Sequence, residues 1–177
     1  KILICDDEYT NLEILKKHIM EYTAAHCIKA DIYATTSPKE IFESSTSYDL
    51  AFLDIQMPDI DGISVAKELK NRNQKVVIFF VTAFDEYQDE AMDLHAFRFF
   101  DKPLNIERLY SGLNRAIEYL NESYIDVYIE NKNRHIKVSV DDIKYIKREN
   151  RKNTVVTNNE IYTVRCKFDE LISALPN

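Results

Sequence analysis

Tyr48-Asp49-Leu50-Ala51-Phe52-Leu53-Asp54-Ile55-Gln56-Met57-Pro58-Asp59-Ile60-Asp61-Gly62 is the stretch whose reading decides the fold. Leu50 to Leu53 is an apolar run too short for a helix and bounded by turn formers, which suits a strand buried on both faces. Asp54 ends that run. Ligands of an open parallel sheet bind beyond the carboxyl ends of its strands, so an acid at this point faces a crevice and not the core. Pro58 cannot sit in a central strand, and Gly62 is read as a residue free to take positive φ, which makes 57–62 a loop. Asp59 and Asp61 within it are read as turn chemistry.

The other apolar runs of the first 103 residues also deliver polar side chains at their carboxyl ends. Ile2-Leu3-Ile4-Cys5 delivers Asp6-Asp7, Val76 to Val81 delivers Thr82, and Phe97-Arg98-Phe99-Phe100 is followed by Asp101-Lys102-Pro103. Carboxylates, a hydroxyl and an ammonium at four strand ends suit a hard divalent cation beside a phosphoryl group. Magnesium takes oxygen ligands from one or two carboxylates, waters and phosphate oxygens. Lysine supplies a point charge for phosphate, and threonine a hydrogen bond.

These residues resemble the receiver domain of two-component response regulators, through Asp6-Asp7, Leu53-Asp54-Ile55-Gln56-Met57-Pro58 with Asp61-Gly62, Val81-Thr82-Ala83 and Lys102-Pro103. The resemblance implies that Asp54 is the phosphoacceptor and a sensor histidine kinase the donor. It implies magnesium bound by Asp7, Asp54 and the Gln56 carbonyl, with Asp6 helping through water, and phosphoryl oxygens held by Thr82 and Lys102. Phe99 falls where the family places an aromatic switch, and Thr82 and Phe99 are read as ending adjacent strands, which would couple them. Lys102-Pro103 is cis in the family. An aspartate-nucleophile phosphatase would need an Asp-x-Asp pair where this chain has Asp54-Ile55-Gln56, and no glycine pattern of a nucleotide-binding loop occurs. The receiver modifies itself and is not expected to be a turnover enzyme.

Working outward, Leu12, Leu15, Ile19 and Tyr22 recur at helical spacing and predict a helix from Glu8 to about Thr23. Ile28 to Ala34 reads as a strand. Ser37-Pro38-Lys39-Glu40 reads as a helix start with Ser37 as N-cap and Glu40 reaching back. A third helix turns Val65, Ala66 and Leu69 inward. The acidic run from Asp85 to Glu90 is read as the start of a fourth. The last helix, Asn105 to about Asn121, carries Ile106, Leu109, Leu113, Ile117 and Leu120 on one face; Arg108, Arg115 and Tyr119 on the other suit either a homodimer through the receiver or plain solvent. Five alternations of strand and helix predict an α/β, doubly wound five-stranded parallel sheet, and the receiver resemblance implies the flavodoxin-like strand order 2-1-3-4-5.

The period changes near Tyr124. Ile125 to Ile129, Ile136 to Val140, Tyr145 to Lys147, Thr154 to Thr157 and Ile161 to Arg165 alternate as short strands, and a helix from about Phe168 to Leu175 follows. Both glycines of the chain lie earlier, so asparagines are expected at positive-φ turns, in Asn131-Lys132-Asn133 and Thr157-Asn158-Asn159-Glu160. The expected domains are a receiver at 1–121, a linker at 122–124 and a smaller, mainly β domain at 125–177. That second domain resembles the amino-terminal part of a LytTR-type DNA-binding domain through Asp142 to Ile146, Glu149 to Asn153, Tyr162 to Arg165 and Phe168 to Leu171 with Leu175-Pro176. The family continues into further strands where this sequence stops at Asn177, so the domain is expected to be incomplete and promoter DNA recognition to need residues beyond Asn177.

The 177 residues carry 45% hydrophobic content and a net charge of -7, enough for two modest cores. Residues 1–121 hold 13 Lys+Arg against 21 Asp+Glu, whereas 122–177 hold 10 against 9, so DNA contact is expected from the second part. Its candidates are Arg151, Lys152 and Asn153, beside Lys147 and Arg148. Arg reads guanine edges and Lys or Arg grips phosphates. A protein- or RNA-interaction β module without duplex DNA binding is the alternative. Cys5, Cys27 and Cys166 lack metal or disulfide spacing, and no apolar run reaches membrane-spanning length, so the expectation is a cytoplasmic protein without membrane attachment.

Overall fold

The computed structural model describes residues 1–83, 94–122, 124–129, 134–173 and 175. The expected fourth helix and the Asn131-Lys132-Asn133 turn lie outside them. Two compact units form, Lys1–Ala116 and Ile117–Asn177.

The first unit contains β1 (Ile2–Cys5), α1 (Tyr9–Ala25), β2 (Ile32–Thr35), α2 (Pro38–Glu43), β3 (Leu50–Leu53), α3 (Gly62–Arg72), β4 (Val77–Thr82), β5 (Arg98–Asp101) and the start of α4 (Ile106–Glu122). The strands form one sheet in the order β2-β1-β3-β4-β5, every pairing parallel. Strands β1, β3 and β4 are buried throughout, as near-continuous apolar sequences in a sheet covered on both faces require. Phe80 lies in one face with Ile41 of α2 and Val65, Ala66 and Leu69 of α3. Phe79 lies in the other and packs on Phe52 and Phe100, at ring separations of 4.9 and 5.4 Å. Each fully buried ring contributes roughly 1.5–3 kcal/mol. Tyr22 of α1 donates to Asn114 of α4 at 2.6 Å, joining those helices.

Three local expectations are corrected. Strand β2 begins at Ile32 because α1 ends in a left-handed turn: Cys27 takes φ 54, Cys27 N–H bonds Ala24 O, and Ile28 N–H reaches back to Thr23 O. This is the helix-closing geometry usually given to glycine. Ser37 is the N-cap of α2, but its side chain makes no capping hydrogen bond. Glu40 instead accepts from Thr35 and Tyr33, both at 2.7 Å, which holds its carboxyl below the usual carboxylate range. Gly62 has no positive φ and lies at the first position of α3. A Cβ there would lie 1.9 Å from the carbonyl oxygen of Asp54, so glycine is required by close approach and not by turn geometry.

The second unit pairs β6 (Tyr124–Ile129), β7 (Arg134–Ser139), β8 (Ile143–Glu149), β9 (Lys152–Thr157) and β10 (Ile161–Val164) in the order β7-β6-β10-β9-β8, all antiparallel, and ends in α5 (Phe168–Ser173). Ile125, Val127, Val138, Val155, Val164 and Leu171 form its core. The β8–β9 hairpin turns on Asn150 at φ 50 and Arg151 at φ 63. Asparagine thus supplies one positive-φ position as expected, and an arginine supplies the other. Neither Asn158 nor Asn159 takes positive φ; the turn is closed by Thr157 N–H to Glu160 O at 2.9 Å.

Candidate functional site

The carboxyl ends of β1, β3 and β5 converge. Asp6, Asp7 and Asp54 each place a carboxylate oxygen within 4.8 Å of the others. Asp6 and Asp54 are buried and Asp7 is exposed. Asp54 is fixed by its own N–H, which donates to Cys5 O at 2.9 Å, and by Gly62, whose missing side chain lets α3 start against its carbonyl. The Asp61 carboxylate caps α3 by accepting from Ser64 N–H at 2.6 Å, and that anchors the loop after Asp54.

Lys102 follows β5 and carries its ammonium to Asp54 Oδ2 at 2.5 Å and Asp6 Oδ2 at 2.8 Å. Its N–H bonds the carbonyl of Thr82, and its peptide to Pro103 is cis, as the resemblance implied. Burial alone would lower the Lys102 pKa, but the hydrogen bonds to Asp54 and Asp6 outweigh it and hold the ammonium above the ordinary lysine value. Burial pushes the Asp6 carboxyl above its usual range, with the hydrogen bond from Lys102 opposing it. The Cys5 thiol beneath the cluster is pushed up to about 12, by burial first and then by Asp6 and Asp54, so it is a protonated packing group.

Asp54 Oδ1 is buried with no hydrogen-bond partner among the described residues. An unmatched carboxylate oxygen beside two more acids is a donor set that fits a hard, oxygen-seeking divalent cation, and it leaves a nucleophilic oxygen beside a fixed ammonium. Thr82 is buried at the end of β4. Gln56 lies two residues beyond Asp54 with an exposed side chain. The expectation that Phe99 ends a strand beside Thr82 is corrected: Thr82 is opposite Asp101, and Phe99 lies two residues earlier, opposite Phe80, on which its ring stacks at 5.3 Å.

The model of the response regulator receiver domain matches residues 2–114. The chain belongs to the response regulator receiver family. Among its relatives, the sensory transduction protein LytR of Staphylococcus haemolyticus is 30% identical over 169 residues, 93% of this chain. The transcriptional regulatory protein NatR of Bacillus subtilis is 26% identical over 99% of it. This receiver chain spans 63% of the LytR relative's length and 76% of NatR's. Of solved structures, response regulator protein TrrA of Thermotoga maritima, in complex with Mg(2+)-BeF, is 28% identical with a TM-score of 0.56, over 65% of this chain and 96% of that one. A two-component response regulator of Clostridium difficile is also 28% identical, with a TM-score of 0.58, over 68% and 97%. The alignment with LytR, over 93% of this chain, runs on into the β-rich second unit.

The second unit places its candidate residues differently. Arg151 and Lys152 are exposed at the hairpin tip, whereas Asn153 is buried and its side-chain amide donates to Cys166 O at 2.5 Å. Arg148, Arg151, Lys152 and Asn153 line an open groove of about 740 Å³, whose far wall is Arg165 to Glu170. Sequence reading missed Arg165 and Lys167, since only the register of β9 with β10 brings them beside the hairpin. Among the described residues, no helix is long and apolar enough to cross a membrane.

Proposed function

We propose that the chain is a two-component response regulator phosphorylated on Asp54 by a sensor histidine kinase and acting on transcription through DNA contact by the second unit. The observation that carries this is Asp54 itself: its Oδ1 is buried without a partner among the described residues, while its Oδ2 binds the Lys102 ammonium, 48 positions on in sequence, at 2.5 Å. The carboxylate oxygen attacks phosphorus, the bond from phosphorus to the donor imidazole breaks, and the leaving imidazole nitrogen takes a proton from water. Lys102 neutralises charge on the phosphoryl oxygens, and the Thr82 hydroxyl donates to one of them. Asp7, Asp54 and the Gln56 carbonyl, with Asp6 through water, are the residues that would hold magnesium, which when bound supplies electrostatic stabilisation of the transferring group. Phe99 is the proposed aromatic switch, coupled to Thr82 through the end of β4 and its stacking on Phe80.

DNA contact by Arg151 and Lys152 is supported by their exposure, by the near-neutral charge of the second part, and by backbone strain. A non-glycine residue in the left-handed region costs about 1–2 kcal/mol. Retaining arginine at φ 63, where glycine would relieve that cost, favours a role outside the fold. Asn153 supports the hairpin from within. The receiver boundary at 121, the linker at 122–124, homodimerisation through the receiver and residence in the cytoplasm belong to the same reading.

Incubation with acetyl phosphate and magnesium should give a base-labile phosphoprotein, and Asp54→Asn should lower labelling at least a hundredfold. Labelling of Asp54→Asn at the wild-type rate would remove Asp54 from its role.

A further inference from the structure

We propose that Arg165 and Lys167 are DNA-contacting residues. With Arg148, Arg151 and Lys152 they form a two-walled groove that grips one stretch of duplex DNA backbone, and Asn153 is the positioning residue that joins the walls. The inference rests on the DNA reading above and adds to it a second wall and an internal clamp.

Five of the twelve groove residues are cationic and two are carboxylates, Asp169 and Glu170. Among the described residues, none of Arg148, Arg151, Lys152 and Arg165 has an ion-pair partner, while Lys167 has only a long contact of 3.9 Å to Glu170 with both side chains largely exposed. Lys147, one strand position away, is paired with Glu149 at 2.9 Å and does not line the groove. Cations concentrated in one concavity, four of the five without an ion-pair partner among the described residues, form the footprint of a polyanion. Duplex DNA presents phosphates regularly along each strand, so walls on two separate segments can hold neighbouring phosphates.

The clamp explains why both walls share one geometry. Asn153 stands opposite Val164 in the β9–β10 ladder and opposite Arg148 in the β8–β9 ladder. Its amide then reaches past the end of β10 to the carbonyl of Cys166, between Arg165 and Lys167. The same side chain leaves Oδ1 buried without a partner among the described residues, a state that costs stability. An apolar residue would fill the position without that cost, but could not hold the Cys166 carbonyl. The fold therefore retains the amide for the link it makes.

The test is a fluorescence-anisotropy titration of the whole 177-residue chain on a labelled duplex at several salt concentrations. Each lost phosphate contact should lower the slope of log K against log salt by about 0.9. The double variant Arg165→Gln/Lys167→Gln should therefore lose about 2 from the slope, and Lys147→Gln should lose nothing. Asn153→Ala should lower the slope by a similar amount, but added to the double variant should change it no further; a merely structural role would weaken binding in both backgrounds. Circular dichroism checks folding, and if Asn153→Ala unfolds, the exposed double variant still decides. An unchanged slope in the double variant, or an equal loss in Lys147→Gln, would overturn the groove while leaving the DNA reading intact. No binding by the unaltered chain at low salt would overturn the DNA reading, and capture of an acidic protein instead would assign the groove to another partner class.

Discussion

The two sheets of this chain carry charge in opposite ways. In the receiver, β1, β3 and β4 are buried along their whole length, so polar chemistry is expelled to the carboxyl ends, where Asp6, Asp54 and Thr82 stand. In the second unit, most of β8 is exposed and its cations run along the strand and over the hairpin tip. A parallel sheet covered on both faces has only its ends to offer, whereas an antiparallel one can turn a face or a hairpin toward a partner. The first arrangement gathers its polar groups at one end of the sheet, and the second spreads them along an open groove.

Cutting the link at the strand ends should have the largest effect. Lys102→Ala leaves Asp6 and Asp54 buried without their cation and should destabilise the receiver by about 3–5 kcal/mol, read from urea unfolding, while leaving the melting of the second unit unchanged. A loss below about 1 kcal/mol would mean that the pocket is far wetter than its burial indicates.

Gly62→Ala tests the closeness of packing that defines the first region. The added Cβ meets the backbone carbonyl of Asp54 and not a flexible side chain, so the start of α3 must move, at a cost of about 3 kcal/mol. Phosphorylation by acetyl phosphate should slow as well, because the loop following Asp54 is displaced. A variant as stable and as readily labelled as the unaltered chain would contradict the close approach.

The smallest effect, and the one of opposite sign, belongs to the open region. Arg151→Gly removes a left-handed arginine and should stabilise the second unit by about 1 kcal/mol while weakening duplex binding. Stability and binding then move in opposite directions, a separation the receiver pocket does not allow. Loss of stability in this variant would show that the arginine side chain packs where its exposure says it does not.

The sequence by itself determined the alternation of strand and helix, the change to short alternating strands after Tyr124, and the identity of Asp6, Asp7, Asp54, Thr82 and Lys102 as the residues at the strand ends, while the order of the parallel sheet came from the family resemblance. Those features are legible because apolar periodicity is local and because a buried strand leaves its ends as the outlet for polar side chains. Only the tertiary structure decided the reason for Gly62, the seating of Lys102 between two carboxylates, Glu40 turning to Tyr33 and Thr35, Arg151 in a left-handed turn, and Asn153 facing inward to Cys166. With the exception of the turn at Arg151, each of these depends on atoms from separate segments meeting at hydrogen-bond or contact distance. Residue type and spacing along one chain carry no record of that meeting until the register of the sheets is set.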